Sequence, residues 1–385
     1  MVEKNEYNLS EILNMKAELK NNSILKYQFL NLKQEIDNKI LTLKYSVVDK
    51  ELLPHSSNKN DYYSIGIYAW PNKNSIDGIP WILDDCKANP YVKTYATDSI
   101  RIENFCNDIM ILTTLFLIYE DYSYLDKIEE LLVIWFIDEN TKMNPHMNYA
   151  QAIPGICSGR GIGLIDARHF IKLIDYLSIL DKKKLIDPTI LRELKVWFSD
   201  FISWMENSIN GKEEEQALNN HGSWYEAELT TFARFVEDYD KVLSRKDIFI
   251  NKVIAQFEEN GNQPYEVKRK KAWHYFIFNL EAIFISYRNI ESIQANSLSN
   301  IKETLKNSSS FMLNKMEFLN TWENKEDLDF FDDILRTKKI LPILNEMSKE
   351  NIFSNAKINN LKNIYNITDL ELLFNTQNDY IVLFK

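Results

Sequence analysis

The sequence predicts an all-α protein of helical hairpins arranged in a ring or layer, and three observations carry that expectation. Glycine and proline are scarce, 9 of each in 385 residues, about 5 % together where an average chain carries roughly 12 %. That leaves too few turn formers for a many-stranded sandwich or barrel. Those turn formers are also clustered: they concentrate at 54–90 and 145–163 and are absent from 1–53, 91–144, 265–341 and 343–385. Within the depleted tracts, apolar residues recur every three or four positions, the period of a helix with one buried face.

Taken in order, 1–53 has no helix breaker. Phe105, Ile109, Leu112, Phe116 and Tyr119 predict a first core helix, and Leu125, Ile128, Leu132 and Trp135 a second, joined by a short turn at Glu120-Asp121. Phe170, Leu173, Leu177 and Leu180 follow, then a turn at Asp181-Lys182 and the stripe Leu194, Trp197, Phe201 and Trp204. Leu229, Phe232 and Val236 mark a further helix, as do Trp273, Ile277, Leu280 and Phe284. Such short connections place sequence neighbours antiparallel. The 300–385 tail, with Phe311, Lys315, Phe318 and Trp322, predicts further helices of the same domain. No fixed-period repeat is present, which argues against a solenoid.

A net charge of −11 gives nucleic acid or an anionic membrane no global attraction, so neither is expected as a partner. An anionic ligand would need a locally basic site. The three cysteines, Cys86, Cys106 and Cys157, fit neither a disulfide framework nor a zinc pattern and are expected reduced in the core. His55, His146, His169, His221 and His274 lack metal-ligand spacing, so no metal and no cofactor is expected. The apolar stretches 109–119 and 131–137 fall short of a bilayer span, and the N-terminus lacks the apolar run of a secretory signal. The expected location is therefore cytoplasmic as written, or periplasmic or secreted if the chain is a trimmed mature form. The sequence sets no oligomeric state.

Three irregular segments concentrate polar, aromatic and glycine residues. The first, Tyr62 to Trp81, carries Tyr68, Trp70, Pro71 and Asp77-Gly-Ile-Pro; its rigid aromatic walls suit either stacking on sugars or packing on the core. The second, Met143 to Arg168, holds Asn148, Tyr149 and Gln151, then Arg160 among four glycines that allow close backbone approach. Gly159-Arg-Gly-Ile-Gly there is a poor echo of a dinucleotide fingerprint and lacks its preceding strand. Asp166 and Arg168 are expected to start the next helix, either as ligand contacts or as a structural ion pair. The third is Asn219-Asn220-His221-Gly-Ser-Trp224-Tyr225-Glu226, a helix entry that offers donors to an anion or simply caps the helix. Lys268-Arg269-Lys270-Lys271 then precedes the aromatic helix carrying Tyr275.

Together these segments resemble the alginate lyase family, mannuronate-type and glucuronan-cleaving lyases built on (α/α) toroids. The similarity runs over about 62–284, and Asn219-Asn220-His221-Gly-Ser-Trp224-Tyr225 is its most specific mark. The resemblance implies a single domain over 1–385, an (α/α) toroid or incomplete barrel around a cleft, and β-elimination on a 1,4-linked uronic acid polymer or oligosaccharide of mannuronate or glucuronate. The C5 proton of a uronate becomes acidic only when preorganised donors neutralise the adjacent carboxylate. The family's neutralising Asn and His match Asn220 and His221. Its Arg and Tyr fall on Arg269, chosen within the cationic run because a guanidinium grips a carboxylate bidentately, and on Tyr275, whose phenol can move protons. Tyr68, Trp70, Asn148, Tyr149, Gln151, Arg160, Arg168, Asn219 and Trp224 are the expected substrate-binding residues, with an anionic polysaccharide or oligosaccharide as partner. Two alternatives stay open: a glycosidase, for which Asp84, Asp85, Asp166 and Glu226 are available, and a relative that binds glycans or eliminates on a non-carbohydrate substrate.

Overall fold

Helices α1 (Lys4–Glu18) and α2 (Ser23–Lys39) open the chain in a computed structural model that describes residues 4–317. An irregular stretch with strands β1 (Tyr63–Ile65), β2 (Ala69–Trp70) and β3 (Ile82–Leu83) leads to α3 (Ser99–Tyr119) and α4 (Ser123–Leu132). Strand β4 (Tyr149–Ala152) precedes α5 (His169–Lys182), α6 (Pro188–Asn207), α7 (Ile209–Glu215) and α8 (Asn220–Phe235). Then come α9 (Tyr239–Ser244), α10 (Lys246–Gln256), α11 (Pro264–Val267), α12 (Ala272–Ile293) and α13 (Lys302–Glu317). The helical class read from the sequence is thus what the chain adopts. Of the helices expected over 300–385, α13 is seen, and Phe318, Trp322 and the rest lie outside the described residues.

These residues fall into two compact units. One gathers the residues up to Leu32, 217–230 and those from Tyr239 onward; the other is Lys33–Gln216 with Thr231–Asp238. In the second unit α3 packs against both α4 and α5, as short antiparallel connections require. The α3 helix stops where Glu120 turns left-handed (φ 58°) and donates its N–H to the Phe116 carbonyl, a common helix ending. By length and composition α3 could cross a membrane, a stretch longer than its apolar run suggested, because Thr, Cys and Asn are tolerated within it. Yet 83 % of its apolar window is buried inside the protein, with Arg101, Asn107 and Asp108 buried on it as well. It is a core helix.

Trp135 ends the expected helical stripe differently. Residues Val133–Ile137 form a π-helical turn, and the widened turn lets the adjacent rings of Trp135 and Phe136 both point inward. Trp135 stacks on Phe105 (4.7 Å) while Phe136 meets Phe170, Trp197 and Phe198. Helix α6 begins with Asp187 accepting from the Thr189 N–H (2.6 Å) and with Pro188 at the first helical position, the expected N-terminal chemistry.

In the first unit α12 packs on α9, α10 and α11. A buried polar network ties α12 to α10, to the start of α11 and to α8: Asn279 Nδ2 donates to Gln256 and Gln263 (both 2.8 Å), and Ser223 pairs with Gln256. Cys106 is buried as expected, whereas Cys86 and Cys157 are only half-buried, because both sit in irregular segments rather than on a helix face.

Candidate active site

In the first unit the site is built on the entry to α8. Asn219 caps the helix, its Oδ1 accepting the His221 N–H (3.1 Å), so the capping role the sequence left open is real for this residue. Asn220, next in line, is 1 % exposed and is clamped by Glu266 of α11. Its backbone N–H donates to Glu266 Oε1 (2.7 Å) and its Nδ2 to Oε2 (2.8 Å). The amide is thereby fixed in orientation, and its Oδ1 is buried with no partner among the described residues. Burial raises the Glu266 carboxyl above its ordinary value, an effect that Asn220, Arg269 and His221 partly offset. His221 is half-buried beside this clamp.

Of the cationic run, Lys268 and Lys270 are exposed and Arg269 is half-buried. The Arg269 guanidinium lies over the Tyr275 ring at 3.9 Å, a cation–π stack that fixes both groups. His274 packs edge-on to Tyr275 (4.7 Å). Trp224 is placed otherwise than expected: at 3 % exposure, with its ring against Phe278 (4.8 Å), it offers core packing rather than a stacking face. It lies one helical turn past Asn220, on the inward side of α8.

The second unit joins the first two irregular segments through a parallel pairing of β1 with β4, Tyr63 opposite Tyr149 and Ile65 opposite Ala152. Buried Asp98 holds β1 by accepting the Tyr63 N–H (3.0 Å). Asp166 gathers both segments, accepting from Tyr62 (3.0 Å), Ser64 (2.7 Å) and Gln151 Nε2 (3.2 Å). Gln151 is left-handed (φ 50°), which turns its carbonyl and side-chain oxygens toward Arg160: Nε donates to the carbonyl (3.0 Å) and an η nitrogen to Oε1 (3.2 Å). A side chain at Gly66 would meet that guanidinium at 2.7 Å, so glycine there makes room for it.

Of Asp166 and Arg168, only Arg168 stands at the start of α5. Both lie in a 3-10 stretch, Gly161–Arg168, that runs into α5: Arg168 is the cap residue directly before His169, as expected at a helix start, whereas Asp166 lies a turn earlier, held by the two loops, and Arg168 donates back to the Ile165 carbonyl (2.9 Å). Trp70 donates to the Lys87 carbonyl (3.0 Å), and the Lys87 ammonium lies over one face of its ring. Tyr68 and Tyr149 are half-buried and Asn148 is exposed.

A family model described as alginate lyase matches residues 46–316. The chain belongs to the alginate lyase family. A crystal structure of an alginate lyase from Bacteroides ovatus is similar over 96 % of this chain and 98 % of that one, with 26 % identity and a TM-score of 0.83. Alginate lyase A1-III from a Sphingomonas species aligns over 80 % of this chain and 77 % of its own, at 12 % identity and a TM-score of 0.45. No curated protein matches. Membership in this alginate lyase family makes the protein a polysaccharide lyase, and the similarity to the Bacteroides ovatus enzyme agrees with its mostly helical build.

Sequence reasoning missed Glu266. Glu266 follows Pro264 and precedes the cationic run by two residues, a spot that reads as a turn; the one available signal was a lone carboxylate beside a predicted donor cluster.

Proposed function

We propose that the protein cleaves a 1,4-linked uronic acid chain, mannuronate or glucuronate, by β-elimination. The observation that carries this reading is the Asn220–Glu266 clamp together with the Arg269–Tyr275 stack. A uronate carboxylate received by the Asn220 amide, His221 and Arg269 loses much of its negative charge, which acidifies the neighbouring C5–H. The C5 proton then passes to a base. The C5–H electron pair forms the C4–C5 double bond, the C4–O bond breaks, and the departing oxygen takes a proton. Tyr275 is the proton-transfer group, with the adjacent guanidinium stabilising negative charge on its phenol. The remaining half-buried and exposed residues of the irregular segments, Tyr68, Trp70, Asn148, Tyr149, Arg160 and Arg168, serve chain binding, with Gln151 orienting Arg160.

The glycosidase alternative is disfavoured by what its carboxylates do. Glu226 is fully buried and ion-paired with Arg245 (2.6 Å) and Lys252 (2.8 Å), Asp166 is engaged by three donors, and Asp84 pairs with Lys87. A panel of mannuronan, guluronan, glucuronan and their oligosaccharides tests the proposal through ultraviolet absorbance of the unsaturated product. Appearance of that chromophore with mannuronan or glucuronan supports it. Cleavage that leaves saturated ends would replace it with hydrolysis.

A further inference from the structure

Residues 144–149 of the second unit display an amide and aromatic rings that are held more firmly than a surface segment requires. Asp61 is the anchor: its buried carboxylate accepts from Ser56 (2.6 Å), Asn144 (2.7 Å) and His146 Nε2 (3.1 Å). The other ring nitrogen of His146 faces the Asn148 N–H at 3.4 Å. Both nitrogens being engaged, the imidazole is fixed in plane, and it packs against Tyr149 (6.2 Å) and against Trp204 of α6 (6.4 Å). Trp204 in turn donates its indole N–H to Asn148 Oδ1 (2.8 Å).

That last contact decides the orientation of Asn148. An indole nitrogen only donates, so the atom facing it is the carbonyl oxygen, and the NH2 group must turn away. The backbone of Asn148 is pinned as well: its carbonyl accepts from Asn210 (3.5 Å), and a side chain at Gly159 would lie only 2.0 Å from that oxygen. The result is an exposed carboxamide with a fixed direction whose NH2 hydrogens have no partner among the described residues. Ordering an exposed polar side chain costs rotamer entropy, and doing so in advance favours a ligand that accepts from it. Donor amides beside aromatic rings suit a sugar, with hydroxyl or carboxylate on the amide and the ring carbons on the aromatic surface.

We propose that Trp204 and the His146–Asp61 pair are positioning residues: they fix the Asn148 amide, read above as chain-binding, so that its NH2 group is aimed in advance at a uronate unit. The assignment of the sugar as a uronate rests on the lyase reading above. That contact serves affinity, so its loss falls on KM much more than on kcat. Asn148→Ala, which removes one hydrogen bond to an anion, should raise KM for an oligomannuronate about tenfold. Trp204→Phe keeps a ring but releases the amide, and should raise KM by about threefold. Asn148→Asp turns a negative charge toward an anionic chain; its loss should exceed that of Asn148→Ala and deepen as salt is lowered.

Steady-state kinetics on mannuronate and glucuronate oligomers, paired with calorimetric binding of the same oligomers, tests this positioning. Unfolding midpoints identify any variant that fails to fold, in which case the two Asn148 variants decide. Weakened binding in the order Asp, Ala, Phe supports the proposal. Wild-type KM and binding in the Asn148 variants, or a collapse of kcat with KM unchanged, would overturn it. A wild-type protein that binds the oligomers without cleaving them sinks the lyase reading while leaving the contact measurable by calorimetry. A protein that neither binds nor cleaves any uronate sinks both.

Discussion

Replacing Glu266 by Gln probes the clamp on Asn220 with the loss of a single acceptor. The carboxylate now receives two N–H groups of Asn220, at 2.7 and 2.8 Å, and both residues are 1 % exposed. A glutamine has one oxygen, so one of those donors must face an NH2 group instead. A buried hydrogen bond to a charged acceptor is worth about 1.5–3 kcal/mol, and the variant also escapes the cost of burying a charge, so the net loss of stability should be about 1–2 kcal/mol. The catalytic loss should be larger: an amide released from its orientation is a preorganised donor lost, about 10²-fold or more in kcat. The pH dependence separates the two effects. With its proton held more tightly in the folded state than in the unfolded one, Glu266 lowers stability as pH rises from its ordinary value of 4.5 through its higher native one. Over the same window activity should rise, because only the ionised carboxylate accepts from both donors. Both trends should vanish in Glu266→Gln. Urea unfolding and product absorbance against pH measure them, and a variant with wild-type kcat and an unchanged acid limb would refute the argument that Glu266 sets Asn220.

Three further outcomes follow from the same geometry. His221→Ala should lower turnover about 10²-fold with little change in unfolding midpoint, since His221 is only half-buried; an unfolded variant would make it a structural cap instead. Burial would raise the Asp61 carboxyl, but His146, Ser56 and Asn144 outweigh it and hold it at about 2 against an ordinary 3.8. Its contribution to stability should therefore be complete above pH 3.8 and disappear as pH falls toward its native value, a slope that Asp61→Asn should remove in acid unfolding curves. Glu226→Gln strands Arg245 and Lys252 beside a neutral group and should cost about 3–5 kcal/mol by denaturant unfolding; a stable but inactive variant would instead revive a catalytic role for this carboxylate.

The helices were legible because their signal is local. Phe105, Ile109 and Leu112 are spaced for one buried face, and all three are fully buried on α3. The first two irregular segments were legible from glycine, proline and aromatic clustering. What escaped were pairings between distant residues. Asn220 meets Glu266 across 46 positions and Trp204 meets Asn148 across 56, and no periodicity records such contacts. Trp204 continued the stripe of Leu194, Trp197 and Phe201 and so read as core, yet its indole N–H reaches outward to an exposed amide. Trp224 erred in the opposite direction, because motif proximity to His221 says nothing about which side of α8 it occupies. The parallel pairing of β1 with β4 was invisible for a related reason: strands of three and four residues are too short for an alternating pattern to register.

The most direct test of the lyase account is the ultraviolet absorbance of mannuronan and glucuronan incubated with the wild-type protein and with Tyr275→Phe. The substitution removes one oxygen and keeps the ring against which Arg269 stacks at 3.9 Å, so folding and carboxylate binding should persist. The account predicts an unsaturated uronate chromophore with the wild-type protein and almost none with Tyr275→Phe at saturating substrate. Wild-type cleavage that yields no chromophore, or near-normal elimination by Tyr275→Phe, would contradict it.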